Sequence, residues 1–423
     1  MFDTILIANR GEIACRVIET AQKMGVRCVA VYSDADAGAK HVAMADAAVH
    51  IGGSAPAQSY LRGDVIIQAA LGTGAQAIHP GYGFLSENPE FVDAVEAAGL
   101  VFIGPSSSAI RAMGLKDAAK DLMAQAGVPV VPGYLGADQD AKVMATEAAR
   151  IGYPVMIKAR AGGGGKGMRL VENPADFADA LTGAQREGQA SFGDPVCLIE
   201  KYIQSPRHIE IQVFGDSHGN VVHMFERDCS LQRRHQKVIE EAPAPGMTDT
   251  LRAAMGKAAV DAAQAIGYQG AGTVEFIVDG SGGLRDDGFW FMEMNTRVQV
   301  EHTITEQITG VDIVREQLRI AAKLPLSYAQ EHISYRGFAL QFRVNAEDPK
   351  NDFLPSFGRI SHYYAPGGPG VRVDTAIYTG YDIPPYFDSM CLKLVVWALT
   401  WEEAIARAER AIDDMRLHGI RTT

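Results

Sequence analysis

FWFMEMNTRVQVE, residues 289–301, carries a polar side chain at every second position through its second half. Because successive side chains of an extended strand point to opposite faces, these polar residues would share one face. That face holds two acids, two amides and one guanidinium: Glu293, Asn295, Arg297, Gln299 and Glu301. The mixture favours the wall of an active site that holds cations and anions together. The alternative is an edge strand whose polar side chains have no function beyond facing solvent.

The composition of the chain is that of a globular enzyme. With 423 residues it is long enough for two to four domains, and 47% of its residues are hydrophobic and 21% charged. The net charge of -12 argues against a nucleic-acid surface and against binding to an anionic membrane. Anionic substrates remain open, because they need only a local cluster of cations.

The cysteines and the N-terminus indicate a cytoplasmic protein. Since no C-x-x-C pair occurs, neither a disulfide framework nor a zinc site is predicted from the five cysteines: Cys15, Cys28, Cys197, Cys229 and Cys391. The first residues lack the basic and apolar regions of a signal peptide, and no apolar run is long enough to span a membrane.

Residues 1 to about 110 predict an open, parallel α/β domain. Apolar residues 4–8, a helical pattern over 11–24 and the strand-like residues 27–32 form one βαβ unit, and the pattern recurs. A dinucleotide site is the obvious rival, but the first turn, ANRGE at 8–12, lacks the G-x-G-x-x-G fingerprint.

Two further regions follow. We expect a helix over 106–127 and a small α+β module over about 130–203, in which strands 154–158 and 168–171 flank the glycine run AGGGGKG. Beyond it the pattern is mainly antiparallel: GDSHG at 215–219 joins two strands as a hairpin, and residues 249–266 are helical. The predicted fold class is therefore α/β and α+β multidomain.

The glycine run at 161–167 predicts a hairpin that closes over phosphates. It fails the P-loop pattern, because Lys166 is followed by Gly167 and not by Ser or Thr. Bare glycines let backbone N–H groups approach phosphate oxygens, and Lys158 would add a positive charge beside them. A floppy surface turn is the alternative.

A metal site is predicted where two strands would meet. Glu275 and Glu293 lie on consecutive strands, and Asn295 follows at the next position on the same face. Carboxylate and amide oxygens suit Mg²⁺ or Mn²⁺. Other polar positions stay open: Glu210 suits a solvated face equally well, and a lone arginine such as Arg343 is usually structural.

Nine motifs occur in order along the chain, and together they resemble the biotin carboxylases of the ATP-grasp superfamily: IANRGEIACRVI, IHPGYGFLSEN, IKARAGGGGKGMR, SPRHIEIQV, ERDCSLQRRHQK, GTVEF, EMNTRVQVEH, FRVNAEDP and PPYFDSM. The resemblance runs from residue 2 to the last residue. The resemblance implies an N-terminal Rossmann-like domain at 1–113, an ATP-grasp lid at 130–203 and a C-terminal domain with an antiparallel sheet at 204–423. The ATP-grasp region would span about residues 120–320.

The activity that the resemblance implies is a ligase reaction, the ATP-dependent carboxylation of biotin at N1 by bicarbonate through carboxyphosphate. The implied partners are a biotin carboxyl carrier protein or domain, which bears the biotin, and a carboxyltransferase subunit. No biotinylation motif occurs in this sequence. A homodimer is expected, while the final carboxyl acceptor stays open.

The resemblance also implies site residues. The ATP contacts are Lys116, Lys158, Gly164, Gly165, Glu200, Lys201, Ile203, His208, His235, Glu275 and Glu293, and the metal ligands are Glu275, Glu293 and Asn295. Bicarbonate would be bound by Lys237, Arg297, Gln299 and Val300. Arg343 would bind biotin and steady its enolate, Glu301 would be the general base, and the catalytic set would be Arg297, Glu301, Lys237 and Arg343.

Some positions depart from the usual pattern of these enzymes. Gln341 stands where Glu is frequent, Thr303 where Pro is common, and Arg160 precedes the glycine run where small residues are frequent. Relatives also continue beyond the position of residue 423 with a further strand and helix. Two other functions stay open: another ATP-grasp ligase that joins a carboxylate to an amine, or a non-catalytic assembly subunit.

Overall fold

The computed structural model describes residues 1–114, 116–160, 167–234 and 236–423, without the side chains of residues 116 and 117. The chain divides into two compact units. The larger comprises Met1–Gly114, His208–Glu275 and Met294–Thr423, and the smaller comprises Leu115–Arg207 and Phe276–Glu293. The three predicted domain boundaries stay a prediction.

The N-terminal part of the larger unit is a parallel sheet with helical crossovers. Its strands pair in the order β3-β2-β1-β4-β5, all in parallel, as predicted. Asn88 caps helix α4, accepting a hydrogen bond from the backbone N–H of Phe91 at 2.8 Å. The elements are β1 Thr4–Ile7, α1 Gly11–Lys23, β2 Arg27–Ser33, α2 Lys40–Met44, β3 Ala47–Gly52, α3 Gly63–Thr73, β4 Ala77–His79, α4 Pro89–Ala97, β5 Val101–Phe102 and α5 Ser107–Gly114.

The smaller unit contains an antiparallel sheet in the order β6-β9-β7-β8. Strands β7 and β8 pair antiparallel on either side of the glycine run, as predicted, while residues 161–166 themselves lie outside the described part. The helix predicted over 106–127 is present as α5 and α6, on either side of residue 115, which lies outside the described part. The elements of this segment are α6 Lys116–Gln125, β6 Gly133–Tyr134, α7 Ala141–Ile151, β7 Val155–Ala159, β8 Met168–Val171, α8 Phe177–Phe192 and β9 Cys197–Lys201.

The rest of the chain builds a large sheet in the order β14-β13-β10-β11-β12-β15-β22-β20. The predicted hairpin is present, since β10 pairs antiparallel with β11. The main elements are β10 Pro206–Gly215, β11 Val221–Arg233, β12 Gln236–Ala242, α9 Asp249–Ala265, β13 Gly270–Asp279, β14 Phe289–Asn295, α10 His302–Thr309, α11 Ile313–Ala321 and β15 Phe338–Asn345. After these come β16 Glu347–Asp348, β17 Leu354–Pro355, β18 Gly358–Arg359, β19 His362–Tyr364, β20 Val371–Thr375, β21 Asp382–Ile383, β22 Met390–Ala398, α12 Trp401–Asp414 and β23 Arg416–His418.

The stretch 289–301 is only half a strand, so its interpretation as one extended segment was wrong. Strand β14 ends at Asn295, and α10 begins at His302. The backbone N–H of Thr296 donates to Glu87 Oε1 at 3.1 Å, and the carbonyl of Gln299 accepts from the His302 ring at 2.6 Å. Backbone groups that bind side chains leave the ladder, and the chain turns.

Apolar clusters fill much of the interior of the larger unit, in which four of the five cysteines are buried. Val17 of α1 and Leu318 of α11 belong to the same buried cluster. The fifth cysteine, Cys197, is in the core of the smaller unit, and all five are buried free thiols. Within the described part of the chain, no helix is long and apolar enough to cross a lipid bilayer.

Candidate active site

Lys237 is the centre of a buried cluster in the larger unit. It lies on β12, and its ammonium donates to Glu210 at 2.7 Å, to Glu275 at 2.9 Å and to Glu301 at 2.6 Å. Burial alone would lower the pKa of Lys237, but the surrounding acids outweigh it and hold the pKa well above its usual value. The lysine is therefore a permanent cation to which three carboxylates converge.

Glu301 connects this cluster to Arg343. One carboxylate oxygen accepts from Lys237, and the other accepts from Arg343 Nη2 at 3.0 Å. Burial would raise the pKa of Glu301, but Lys237, Arg343 and Arg227 outweigh it and keep the pKa well below its usual range. Glu301 is thus ionised at neutral pH and can accept a proton. From the strand pattern alone, a structural role for Arg343 stayed open. In the structure, Arg343 faces the site.

Arg297 and Gln299 lie in the turn between β14 and α10. Arg297 donates to Glu87 at 2.8 Å and to the side-chain oxygen of Asn295 at 2.9 Å. Gln299 donates to Glu275 Oε1 at 2.8 Å. The predicted bicarbonate residues Lys237 and Gln299 therefore share one carboxylate, and the turn places Arg297 beside them.

Glu275 is the predicted metal ligand best defined by the structure. Its Oε1 accepts from Lys237, Gln299 and Asn295, and its Oε2 lies 2.9 Å from His208 Nε2. Burial would raise the pKa of Glu275, but Lys237 and His208 outweigh it and lower it strongly. A carboxylate and an amide oxygen are a donor set that fits Mg²⁺, although here Asn295 turns its nitrogen to Glu275 while its oxygen accepts from Arg297. Glu293, the third predicted ligand, belongs to the smaller unit.

Two predicted ATP residues of the smaller unit, Lys158 and Glu200, contact each other. Lys158 of β7 and Lys120 of α6, which was not predicted, both hydrogen-bond the Glu200 carboxylate, one to each oxygen. Lys201 instead donates to the carbonyls of Gly152 and Tyr153, at 2.8 and 3.0 Å. Ile203 is buried. These contacts join two ammonium groups to a single acid.

Four predicted ATP contacts fall outside what the structure describes. Gly164, Gly165 and His235 are outside the described residues, and Lys116 begins α6 but its side chain is not described. Their roles stay predictions.

Arg227 is a site residue that sequence reasoning missed. It is fully buried on β11, and all five of its N–H groups donate to side-chain oxygens. The acceptors, at 2.6 to 3.1 Å, are Glu210, Gln212, Thr305, Thr273 and Gln299. Arg227 thereby joins β10, β13, α10 and the turn that carries Gln299. The only signal for it in the sequence is an arginine inside the quoted motif ERDCSLQRRHQK.

Two buried acids complete the cluster. Glu210, which suited a solvated face equally well, is fully buried between Arg227 and Lys237. Glu240 of β12, which no prediction included, is also fully buried and accepts from Arg343 Nε at 2.6 Å. The sequence VIEEA offers no signal that distinguishes this acid from its neighbour Glu241.

A cavity of about 510 Å³ opens beside Arg343 in the larger unit. Arg297, Val300 and Arg343 line it together with aromatic side chains, among them Tyr82, Phe84, Tyr386 and Phe387. Its lining combines guanidinium groups with aromatic rings, which suits a ligand with a polar head and an apolar body.

Three family models match consecutive parts of the chain. They describe the N-terminal domain of biotin carboxylase at residues 1–110, the ATP-binding domain of the carbamoyl-phosphate synthase large chain at 116–329, and the C-terminal domain of biotin carboxylase at 341–423. The two terminal models carry the same name that the motifs suggested.

Individual relatives agree with these models. The chain is 53% identical over 422 residues to a biotin carboxylase of Nostoc sp., covering all of this chain and 93% of that protein. It is 54% identical over 419 residues to the mitochondrial methylcrotonoyl-CoA carboxylase subunit alpha of Dictyostelium discoideum. The match covers 99% of this chain but only 59% of the length of that relative.

A solved structure covers the whole fold. The biotin carboxylase domain dimer of 2-oxoglutarate carboxylase from Hydrogenobacter thermophilus, in complex with magnesium ADP, ADP and bicarbonate, superposes with a TM-score of 0.89 at 49% identity. The match covers 100% of this chain and 92% of that one.

Proposed function

The chain belongs to the biotin carboxylase family, and we propose that it uses ATP to carboxylate biotin at N1 with bicarbonate. Carboxyphosphate is the intermediate, and the biotin is carried by a separate protein or domain. The observation that supports this most directly is the position of Glu301, whose carboxylate lies between Lys237 and Arg343. An ionised base flanked by two fixed cations suits the deprotonation of a bound anion.

Bicarbonate binds among Lys237, Arg297, Gln299 and the backbone of Val300. Glu301 removes its proton, and the carbonate that results attacks the terminal phosphorus of ATP, so that ADP leaves and carboxyphosphate forms. A carboxylate held by cations is a weak base, but the same cations stabilise the dianion, which lowers the cost of the proton transfer. Burial strengthens both effects, because little water screens the charges.

Biotin binds in the cavity beside Arg343. Carboxyphosphate decomposes to CO₂ and phosphate, phosphate accepts the N1 proton of biotin, and N1 attacks CO₂. The Arg343 guanidinium stabilises the enolate oxygen that develops on the ureido ring. The aromatic wall formed by Tyr82 and Phe387 covers the apolar part of the ligand.

Glu275, Glu293 and Asn295 would hold Mg²⁺ or Mn²⁺, which would neutralise charge on the ATP phosphates. Lys158 and the glycine run, with Gly164 and Gly165, would cover those phosphates and keep water from carboxyphosphate. Lys116 and His208 would contact the phosphates, His235 would lie near the ribose, and Glu200, Lys201 and Ile203 would line the adenine pocket.

The partners are proposed from the same family. They are a biotin carboxyl carrier, a carboxyltransferase and a second copy of the chain, and the Hydrogenobacter relative is described as a dimer. The cytoplasmic location stays a prediction.

One assay tests the proposal. ADP release is measured with Mg-ATP and bicarbonate, with and without free biotin, for the wild type and for Glu301→Gln. We expect biotin-stimulated turnover that the substitution abolishes, while Glu96→Gln, which changes an exposed acid on α4, leaves it intact. Turnover indifferent to bicarbonate and biotin would point to a different ATP-grasp ligase, and no turnover at all to an assembly subunit.

A further inference from the structure

A chain of hydrogen bonds runs from α10 through two strands to Arg343. Glu240 of β12 lies directly opposite Gln341 of β15 in the sheet. Arg343 is two residues further along β15, on the same face as Gln341. Thr303 of α10 packs above them and is fully buried. The four side chains therefore form one continuous row behind the site.

The direction of each hydrogen bond in this row is determined by the next. The Thr303 hydroxyl donates to Gln341 Oε1, which turns the amide nitrogen of Gln341 towards Glu240. That nitrogen donates to Glu240 Oε2 at 2.9 Å, and Glu240 Oε1 accepts from Arg343 Nε at 2.6 Å. A carboxylate accepts only, so Gln341 must present its nitrogen while Glu240 is ionised.

The guanidinium of Arg343 is consequently held along two edges. Nε binds Glu240, and Nη2 binds Glu301 at 3.0 Å. Both acids are almost completely buried, whereas 19% of the Arg343 side chain remains exposed. Without Glu240, the guanidinium could turn to pair with Glu301 through two N–H groups, which is the usual geometry of an arginine with one carboxylate. Arg343, which lines the cavity, would then pair with the base through two N–H groups and have fewer donors left for a ligand there.

We propose that Glu240, oriented by Gln341 and Thr303, is a positioning residue that keeps Arg343 directed into the biotin cavity and separate from the base. The inference rests on the proposed function, because it assigns Arg343 to biotin. Glu240 itself touches neither substrate, and acts through Arg343.

The test uses an exchange of the two side chains. In Glu240→Gln, the new amide nitrogen meets either Gln341 or Arg343, both of which donate, so the row is broken in its present direction. It closes again only if Gln341 turns over, and then the Thr303 hydroxyl accepts and its own hydrogen loses the Gln341 acceptor. In the double variant Glu240→Gln with Gln341→Glu, every donor again finds an acceptor: Thr303 donates to residue 341, residue 240 donates to residue 341, and Arg343 donates to the oxygen of residue 240. The double variant therefore separates the loss of the hydrogen-bonded row, which it restores, from the loss of the negative charge at position 240, which it keeps.

The assay follows ADP release at pH 8 over a range of free biotin and of ATP. At this pH Glu240 is ionised, since burial, partly offset by Arg343, raises its pKa only to about 7. We expect the KM for biotin to rise about tenfold in Glu240→Gln, with less than a twofold change in the KM for ATP, and to return to within about threefold in the double variant. Thr303→Val should raise the KM for biotin in the same direction, whereas Thr303→Ser should not, because serine keeps the hydroxyl.

The thermal unfolding of each variant is measured as a control, and a cooperative transition shows that the variant is folded. Three outcomes would overturn this inference but not the proposed function. They are an unchanged KM for biotin in Glu240→Gln, equal rises in the KM for biotin and the KM for ATP, and a KM for biotin in the double variant as high as in the single variant. A wild type without biotin-stimulated turnover would overturn the proposed function, and this inference with it.

Discussion

Replacing Arg227 by lysine keeps the charge but reduces the number of N–H donors. The guanidinium uses five donors on five different side chains, whereas an ammonium has three. At least two of the five acceptors must therefore lose their partner. Since the residue is fully buried, no solvent replaces the missing donors.

The expected loss follows from this count. A buried acceptor without a partner costs roughly 1–3 kcal/mol, so two of them cost about 2–6 kcal/mol of the free energy of unfolding. Arg227→Met should cost more, because it also removes a cation from the fully buried Glu210, which keeps Lys237 at 2.7 Å and the His208 ring at 3.9 Å. A loss of this size is a large part of the stability of a typical domain, roughly 5–15 kcal/mol.

The measurement is urea unfolding of the wild type, Arg227→Lys and Arg227→Met at pH 8. Larger chains can unfold in steps, so circular dichroism and tryptophan fluorescence are followed together. Trp397 and Trp401 lie in the same unit as Arg227 and report on it. Arg150→Lys is the matched control, because the Arg150 side chain is 65% exposed, and it should change the stability by less than about 0.5 kcal/mol. If Arg227→Lys is as stable as this control, the donor count does not govern the stability of the site.

Three further outcomes follow from the structure. Asn88→Ala removes the cap that binds the Phe91 N–H and should lower the free energy of unfolding by about 1 kcal/mol, and an unchanged thermal midpoint would contradict this. Burial lowers the pKa of His41 and of His79 to about 4, so both are neutral in the fold while the unfolded chain takes up protons below about pH 6.5. Stability should therefore fall as the pH is lowered from about 6.5 to about 4, and urea midpoints across this range should decline less steeply in His79→Gln; equal slopes would refute the assignment. Excess EDTA should abolish ADP release and either Mg²⁺ or Mn²⁺ should restore it, whereas turnover that survives chelation would exclude the proposed role of the metal.

Local patterns predicted much of the fold. The parallel sheet at the N-terminus, the hairpin around GDSHG and the strands on either side of the glycine run depend on neighbouring residues, and each is confirmed. The stretch 289–301 shows the limit of such patterns. Its polar residues from Asn295 onward do gather at one site, but a turn brings them there, because Glu87, distant in sequence, binds the backbone of Thr296.

The buried acids and Arg227 were beyond prediction for a physical reason. A charged residue inside a strand looks the same in sequence whether it faces water or a counter-charge from another strand. Glu210, Arg227 and Glu240 are buried only because partners from separate elements converge on them. The resemblance to a family supplied Lys237, Glu301 and Arg343, whereas the residues that hold these three in place became visible only in the structure.

The buried thiols have a practical consequence for studying the enzyme in solution. Burial raises the pKa of Cys15, Cys28 and Cys391 to about 12 and that of Cys197 to about 11, so these thiols barely form the thiolate that reacts with a maleimide. Burial also raises the pKa of Cys229 well above its usual value. A cysteine introduced at an exposed position such as Leu170, on the strand after the glycine run, could therefore be labelled with a fluorophore while the five native thiols stay unlabelled. The wild-type sequence is already suited to site-specific spectroscopy, without a cysteine-free parent.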